Sequence, residues 1–215
     1  MKTCCITEFL ICGVLYLSCS SQSQAPMMDE ILPSGEQIAL FDGETDFWDS
    51  TPFPSCGKIE VRDGAIILER GQPLSGMVWN GLIRQMNYEL SLEVKRIAGD
   101  DFFCGVTFPY EQSFATLIIG GWGGATTGLC CIGGLDAPEN GTAQSLPLEN
   151  ERWYSVRLRI TDNHIQAWVD EKLIVDLDTA NKQLALRGDL ASSKPLAIMT
   201  SNATAAVRNI VLTLL

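Results

Sequence analysis

Two acids and an amide stand close together in "GGLDAPENGT": Asp136, Glu139 and Asn140. A carboxylate in such a polar loop can act as a general base when it lies within hydrogen-bond reach of the proton it takes. A second acidic pair, Asp100-Asp101, opens "DDFFCGVTF" and offers the same chemistry. With Asp136 it also offers oxygen ligands for a hard cation such as calcium, while a plain polar turn would use the same residue types. Trp122 lies in "GGWGG", where glycines leave both indole faces bare. Such a ring can stack on the apolar C–H face of a pyranose while nearby donors set orientation, or it can wedge between a sheet and a loop. Trp79 in "GMVWNG" has a similar setting, and Arg84 could fix a sugar hydroxyl or ketone. Trp168 alternates with Ala167 and Val169 and so points away from the main core. The single histidine, His164, stands beside Asp162-Asn163 and reads as an exposed hairpin residue.

Several other chemistries are excluded. A phosphate loop needs a strand, the glycines, then a helix N-terminus with a lysine and a hydroxyl. Gly120 to Gly124 instead lie between two apolar strands with no lysine nearby. Glycines inside a strand pair mark a bulge or a close approach of ligand or backbone. A net charge of −11 argues against nucleic acid or an anionic membrane as partner, because phosphate binding needs a basic stripe. With no CxxC spacing and one histidine, zinc is not expected, and no cofactor is called for beyond the calcium option.

The elements that must position these residues have a period of two almost throughout. In "NYELSLEVKRI", Tyr88, Leu90, Leu92 and Val94 alternate with polar residues, and "RWYSVRLRIT" repeats the pattern with Tyr154, Val156, Leu158 and Ile160 inward. Asp63-Gly64 and Asp162-Asn163 read as hairpin turns, and Asp170-Glu171 precedes the strand "KLIVDLD". "TANKQLALRGD" could hold a helical turn or two at most. About a dozen short strands with no helices to cover a parallel sheet imply an all-β antiparallel sandwich or barrel. The 215 residues, 46% hydrophobic, suit one domain from about residue 30 to 215.

Residues 1–25 read as an export signal: Met1-Lys2, the apolar "FLICGVLYLSC", then "SSQSQAP". Cys19 closes the apolar run and raises lipidation as an alternative. A periplasmic, cell-envelope or extracellular location follows, with no transmembrane span once the leader is removed. Removing it leaves Cys56, Cys104, Cys130 and Cys131, an even number that permits disulfides. Cys104 and one of the adjacent pair read as small buried hydrophobes.

"IALFDGETDFW", "IEVRDGAIIL", "YELSLEVKRIAGDDFFCGVTF" and "ERWYSVRLRITDNHIQAWVDEKLIVDLD" occur in that order over nearly the whole mature chain. Together they resemble the 3-keto-disaccharide hydrolase domain family of exported bacterial proteins. The resemblance implies a concanavalin A-like jelly roll of two packed antiparallel sheets, a concave sugar-facing surface, and cleavage of glycosides oxidised at C3. A 3-keto group acidifies the adjacent C–H, so a base can expel the glycosidic oxygen by elimination and water can then add. The chain departs from the family pattern at two places. Asp100 and Asp101 stand where typical members show Asn-Ser, with Phe108 about where an arginine would be, and "TLIIGGWGG" replaces an acid and a glutamine on the next strand. No catalytic residue therefore carries over from those motifs. Two readings follow, each with carbohydrate as partner: a secreted hydrolase or lyase with its base among Asp136, Glu139, Asp100 and Asp101, or a noncatalytic carbohydrate-binding module using Trp122 and Trp79. Arg84, Asn140 and Trp168 are further substrate-binding candidates in either case.

Overall fold

Alternating sequences need a partner layer on one face, and two sheets supply it to each other. The structure is a computed structural model that describes residues 33–215. The leader expected over residues 1–25, with Cys19, lies outside the described residues. Strands in chain order are β1 (Gln37–Ala39), β2 (Trp48–Ser50), β3 (Ile59–Arg62), β4 (Ala65–Leu68), β5 (Leu74–Trp79), β6 (Tyr88–Gly99), β7 (Cys104–Tyr110) and β8 (Ser113–Gly120). They continue as β9 (Thr126–Cys130), β10 (Gln144–Ser145), β11 (Trp153–Ile160), β12 (His164–Val169), β13 (Lys172–Asp178), β14 (Leu196–Ser201) and β15 (Ala203–Leu214). One sheet runs β13-β12-β11-β6-β15-β4-β3, with β1 on β15; the other runs β10-β9-β8-β7-β14-β5-β2. Every pairing is antiparallel, as the sequence patterning predicts.

The inward residues of β6 and β11 are buried as their alternation requires, and they pack on Val106, Phe108, Leu117 and Ile198 of the facing sheet. Tyr88 bridges the layers by donating its hydroxyl to the Pro109 carbonyl at 2.6 Å. The turns follow their chemistry. Asp63 and Gly64 (φ 52° and 72°) and Asp170 and Glu171 (φ 48° and 63°) are both left-handed pairs, the geometry that matches the twist of a two-residue hairpin. His164 begins β12 on the exposed side of its hairpin.

The two sheets differ in what covers them. The first has a half-exposed polar outer face, where Glu89 takes hydrogen bonds from Arg157 and Arg159. The second is buried on both faces, because its outward residues Leu74, Val78, Ile118, Ala197 and Met199 are apolar too. Phe53, Phe102 and Leu190 cover them. Leu190 sits in a 3-10 segment, Gly188–Ser193, anchored where Ser193 Oγ lies 2.7 Å from Thr107 Oγ1 and donates to the Leu190 carbonyl at 2.6 Å. An apolar sheet face cannot be left in water, and these residues shield it. One expectation changes here. The short helical turn expected within "TANKQLALRGD" falls later, at Gly188–Ser193, and most of the earlier stretch is irregular.

The four cysteines of the described residues are all free. Cys104 faces the inter-sheet core, Cys130 the outer layer, and burial pushes both thiols up to about 12, with the Asp136 charge adding to the effect at Cys130. Among the described residues no helix is long and apolar enough to cross a membrane.

Candidate functional site

The cover over the second sheet leaves a gap near the ends of β5, β8 and β14. There a small depression is lined by Pro73, Leu74, Asp101, Phe102, Ile118, Gly121, Trp122, Arg187, Asp189, Leu190 and Ser201. Leu74, Phe102, Ile118 and Leu190 supply apolar walls, and four polar side chains and one indole reach the same space.

Trp122 is held there by an unusual turn. Between β8 and β9, Gly120 (φ 73°), Trp122 (φ 49°), Gly123 (φ 89°) and Gly124 (φ 97°) are all left-handed. Glycine is required at Gly120, where a Cβ would come within 2.9 Å of the Phe103 ring. Trp122 has no such licence. It is the one aromatic among the positive-φ non-glycine residues described, a conformation that costs a bulky side chain about 1–2 kcal/mol. It remains 41% exposed. The turn is clamped from behind by Arg96, which is 6% exposed and donates from Nη1 to the Gly124 carbonyl (3.3 Å), from Nη2 to the Leu148 carbonyl (2.9 Å) and from Nε to Asn150 Oδ1 (2.6 Å).

Asp101 is fixed at the start of the cover. Its Oδ1 accepts from its neighbour's amide, Phe102 N, at 2.8 Å, and its Oδ2 accepts from Ser201 Oγ at 3.3 Å. No cation pairs with it among the described residues. Asp189 differs: Arg187 donates to it from Nε (3.0 Å) and Nη2 (2.5 Å), and that clamp holds its carboxyl below the usual aspartate range. Arg187 Nη1 makes a longer ion pair with the Asp136 carboxylate, at 3.8 Å. Asp101 is thus the carboxylate of the depression that has no cation beside it among the described residues, while Arg187 is set between two acids.

The remaining sequence candidates lie elsewhere. Asp136 stands behind Arg187 and accepts from the Cys131 thiol at 3.7 Å, so it backs the guanidinium and does not line the depression. Glu139 is exposed on the turn Ala137–Asn140, beside a different depression shared with Lys182 and Gln183. Asn140 is spent on its own loop: Nδ2 donates to the carbonyls of Leu129 (2.7 Å) and Leu135 (3.1 Å), and Oδ1 accepts from Thr142 N (3.0 Å). Asp100 is exposed and lines a second depression on the Gly123-Gly124 side of the turn. Trp79 is a correction. It is 7% exposed in the inter-sheet core, edge-on to Trp48, with its indole N–H donating to the Leu82 carbonyl, because β5 turns this residue inward. Trp168 does point away from the core, but onto the outer face of the other sheet, under the Arg157 guanidinium at 3.9 Å. Arg84 is half-buried between β5 and β6 and does not line the depression.

The acids named for calcium do not converge among the described residues. Asp100 and Asp101 face different depressions, Asp136 is turned to Arg187, and no group of three or more ligating side chains converges among the described residues. Sequence reading missed Arg187, Asp189 and Ser201. The Arg-Gly-Asp spacing in "LALRGDLASS" was the available signal for the first two, since a chain that turns at the glycine brings those side chains together.

Solved structures with the same fold include the carbohydrate-binding module CBM66 from Bacillus subtilis, with 12% identity and a TM-score of 0.53 over 78% of this chain and 95% of that one. A laminarinase from Flavobacterium sp. UMI-01 gives 8% identity and a TM-score of 0.53 over 85% of this chain and 100% of that one. A beta-1,3-glucanase from Mycobacterium marinum gives 9% and 0.51, over 86% and 100%. At these identities the likeness establishes the concanavalin A-like sandwich. No curated protein matches the chain significantly in sequence. The sequence of residues 36–213, which carries both sheets and every lining residue of the depression, matches the 3-keto-alpha-glucoside-1,2-lyase-like domain, and the chain belongs to that family.

Proposed function

We propose that the domain cleaves glycosides oxidised at C3, with the sugar ring in the depression between Trp122 and Arg187 and with Asp101 as base. The observation that carries this reading is the meeting of an exposed indole, a carboxylate with no ion pair among the described residues and a guanidinium around one apolar-walled space. The indole face suits the C–H face of the ring. The positive charge of the Arg187 guanidinium suits the ketone oxygen, where negative charge develops as the adjacent proton leaves. Asp101 takes the C2 proton, the C2–H electron pair becomes the C1–C2 double bond, and the C1–O bond breaks. The departing oxygen takes a proton from water, and Asp101 later returns its own to solvent. Addition of water across the new double bond would complete a net hydrolysis. Export behind the residue 1–25 leader is part of the same proposal, placing the site where glycosides from outside the cell would meet it.

Incubation with 3-keto-trehalose, 3-keto-sucrose and their unoxidised parents tests the reading. Turnover of the keto substrates alone, lost by roughly 100-fold or more in Asp101→Asn and little changed in Glu139→Gln, is expected for removal of a general base. Equal activity in Asp101→Asn sinks the assignment. Sugar binding that depends on Trp122 without any turnover would leave a binding module.

A further inference from the structure

We propose that the depression on the far side of the Trp122 turn is a second sugar subsite, which holds the leaving-group half of the glycoside as an uncharged pyranose. The proposal rests on the reading of the first depression as the site of the oxidised ring. Consecutive residues line the two spaces: Asp101, Gly121 and Trp122 the first, Asp100, Gly123 and Gly124 the second. The wall between them is therefore a single tight turn. A Cβ on Gly123 would meet nothing within 4 Å, so that wall is low and open above the backbone, as a ligand crossing it requires.

The second space is furnished for a ring with hydroxyls. Arg96 donates to Asn150 Oδ1, which fixes the orientation of that amide and leaves its Nδ2, with no acceptor among the described residues, as a donor for a ligand. The Asp100 carboxylate makes no ion pair among the described residues and offers an acceptor, and Pro147 gives an exposed apolar ring. Arg96 itself is already turned onto three protein acceptors, so the charge presented at the surface is that of Asp100. A uronate would meet repulsion there, and an uncharged pyranose would find a donor, an acceptor and an apolar face.

The test compares ligands of one and two rings that lack the ketone and so are not consumed: methyl α-glucoside and trehalose, titrated against the full chain by calorimetry. Trehalose is expected to bind about tenfold more tightly, from two further hydrogen bonds and apolar contact. Asp100→Ala, and Asn150→Asp, which keeps the Arg96 bond but removes the amide donor, are each expected to weaken trehalose by about fivefold and leave methyl α-glucoside within twofold. Equal affinity of the two ligands for the wild-type chain, or equal losses on both in the variants, overturns the subsite. If the keto substrates are turned over while trehalose gains nothing over methyl α-glucoside, the subsite alone is refuted. If neither keto turnover nor any sugar binding is found, both readings fall together.

Discussion

Replacing Arg96 by methionine keeps much of its stem volume and removes the clamp behind Trp122. Two main-chain carbonyls, of the buried Gly124 and the half-buried Leu148, lose a charged donor, and Asn150 loses its partner. An orphaned buried acceptor costs about 1–3 kcal/mol, which for these two partly hydrated carbonyls amounts to about 2–4 kcal/mol. The guanidinium also lies 5.2 Å from the Phe103 ring centre, a contact worth about 0.5–1 kcal/mol. Against these stands relief of a buried cation whose acceptors are all uncharged, a desolvation cost that truncation removes. A net loss of about 2–3 kcal/mol follows, or about 5–10 °C in Tm for a chain of this size. Chemical denaturation gives the first number and thermal circular dichroism the second. Because the clamp holds the turn that carries Trp122, trehalose affinity should fall with stability, and Arg96→Lys should recover little of either, since an ammonium cannot reach three divergent acceptors as a planar fork does. A loss under about 1 kcal/mol with sugar affinity unchanged would refute the account of the clamp.

Trp122 offers a sharper signature of backbone strain. Substitution by glycine should leave the protein more stable than substitution by alanine by about 1 kcal/mol, the reverse of the usual order, because only glycine is at ease at φ 49°; alanine the more stable of the two in urea unfolding would show that the turn relaxes instead. The cysteines should separate by reactivity. Burial raises the Cys56 thiol, but hydrogen bonds with Ser50 and Ser75 outweigh it and leave Cys56 below the ordinary thiol value, whereas burial keeps Cys104, Cys130 and Cys131 above it. Iodoacetamide on the native chain should therefore mark Cys56 first among these four, and peptide mapping that finds Cys131 or Cys130 marked earlier would contradict the assignment.

Much of the fold was legible because the period-two signal in β6 and β11 is a direct record of one buried face. The site was legible only in part. Trp122 was found through its glycines and Asp101 through its acidic pair, both local features. Trp79 looked like Trp122 in sequence, a tryptophan near a glycine, yet strand phase and not glycine content decides which way an indole points: β5 sends Trp79 inward beside Trp48. Asp136 and Glu139 were favoured because they lie near Trp122 along the chain. The 3-10 segment that fills the outer face instead brings Arg187 and Asp189 from much later in the sequence to the indole, and turns Asp136 to the back of Arg187. That long-range closure has no local signature. The apolar run "TLIIG" did carry a hint, since a strand buried on both faces demands a cover, and the cover is what shapes the depression.

The features that serve this depression each run against local stability. A tryptophan takes a backbone conformation suited to glycine, a guanidinium is buried on uncharged acceptors, and four residues in five around the turn lack side chains that could pack. A sequence selected only to join β8 to β9 would need none of these, because a two-residue hairpin does it with less strain. Left-handed residues occur at many turns of the described chain, but Trp122 is the aromatic one among them, where the cost is greatest. A strained bulky residue persists only where the surrounding structure over-determines it, and here the Arg96 clamp does so. That strain is an argument for testing Trp122 first, and it does not depend on the chemistry proposed for Asp101 and Arg187.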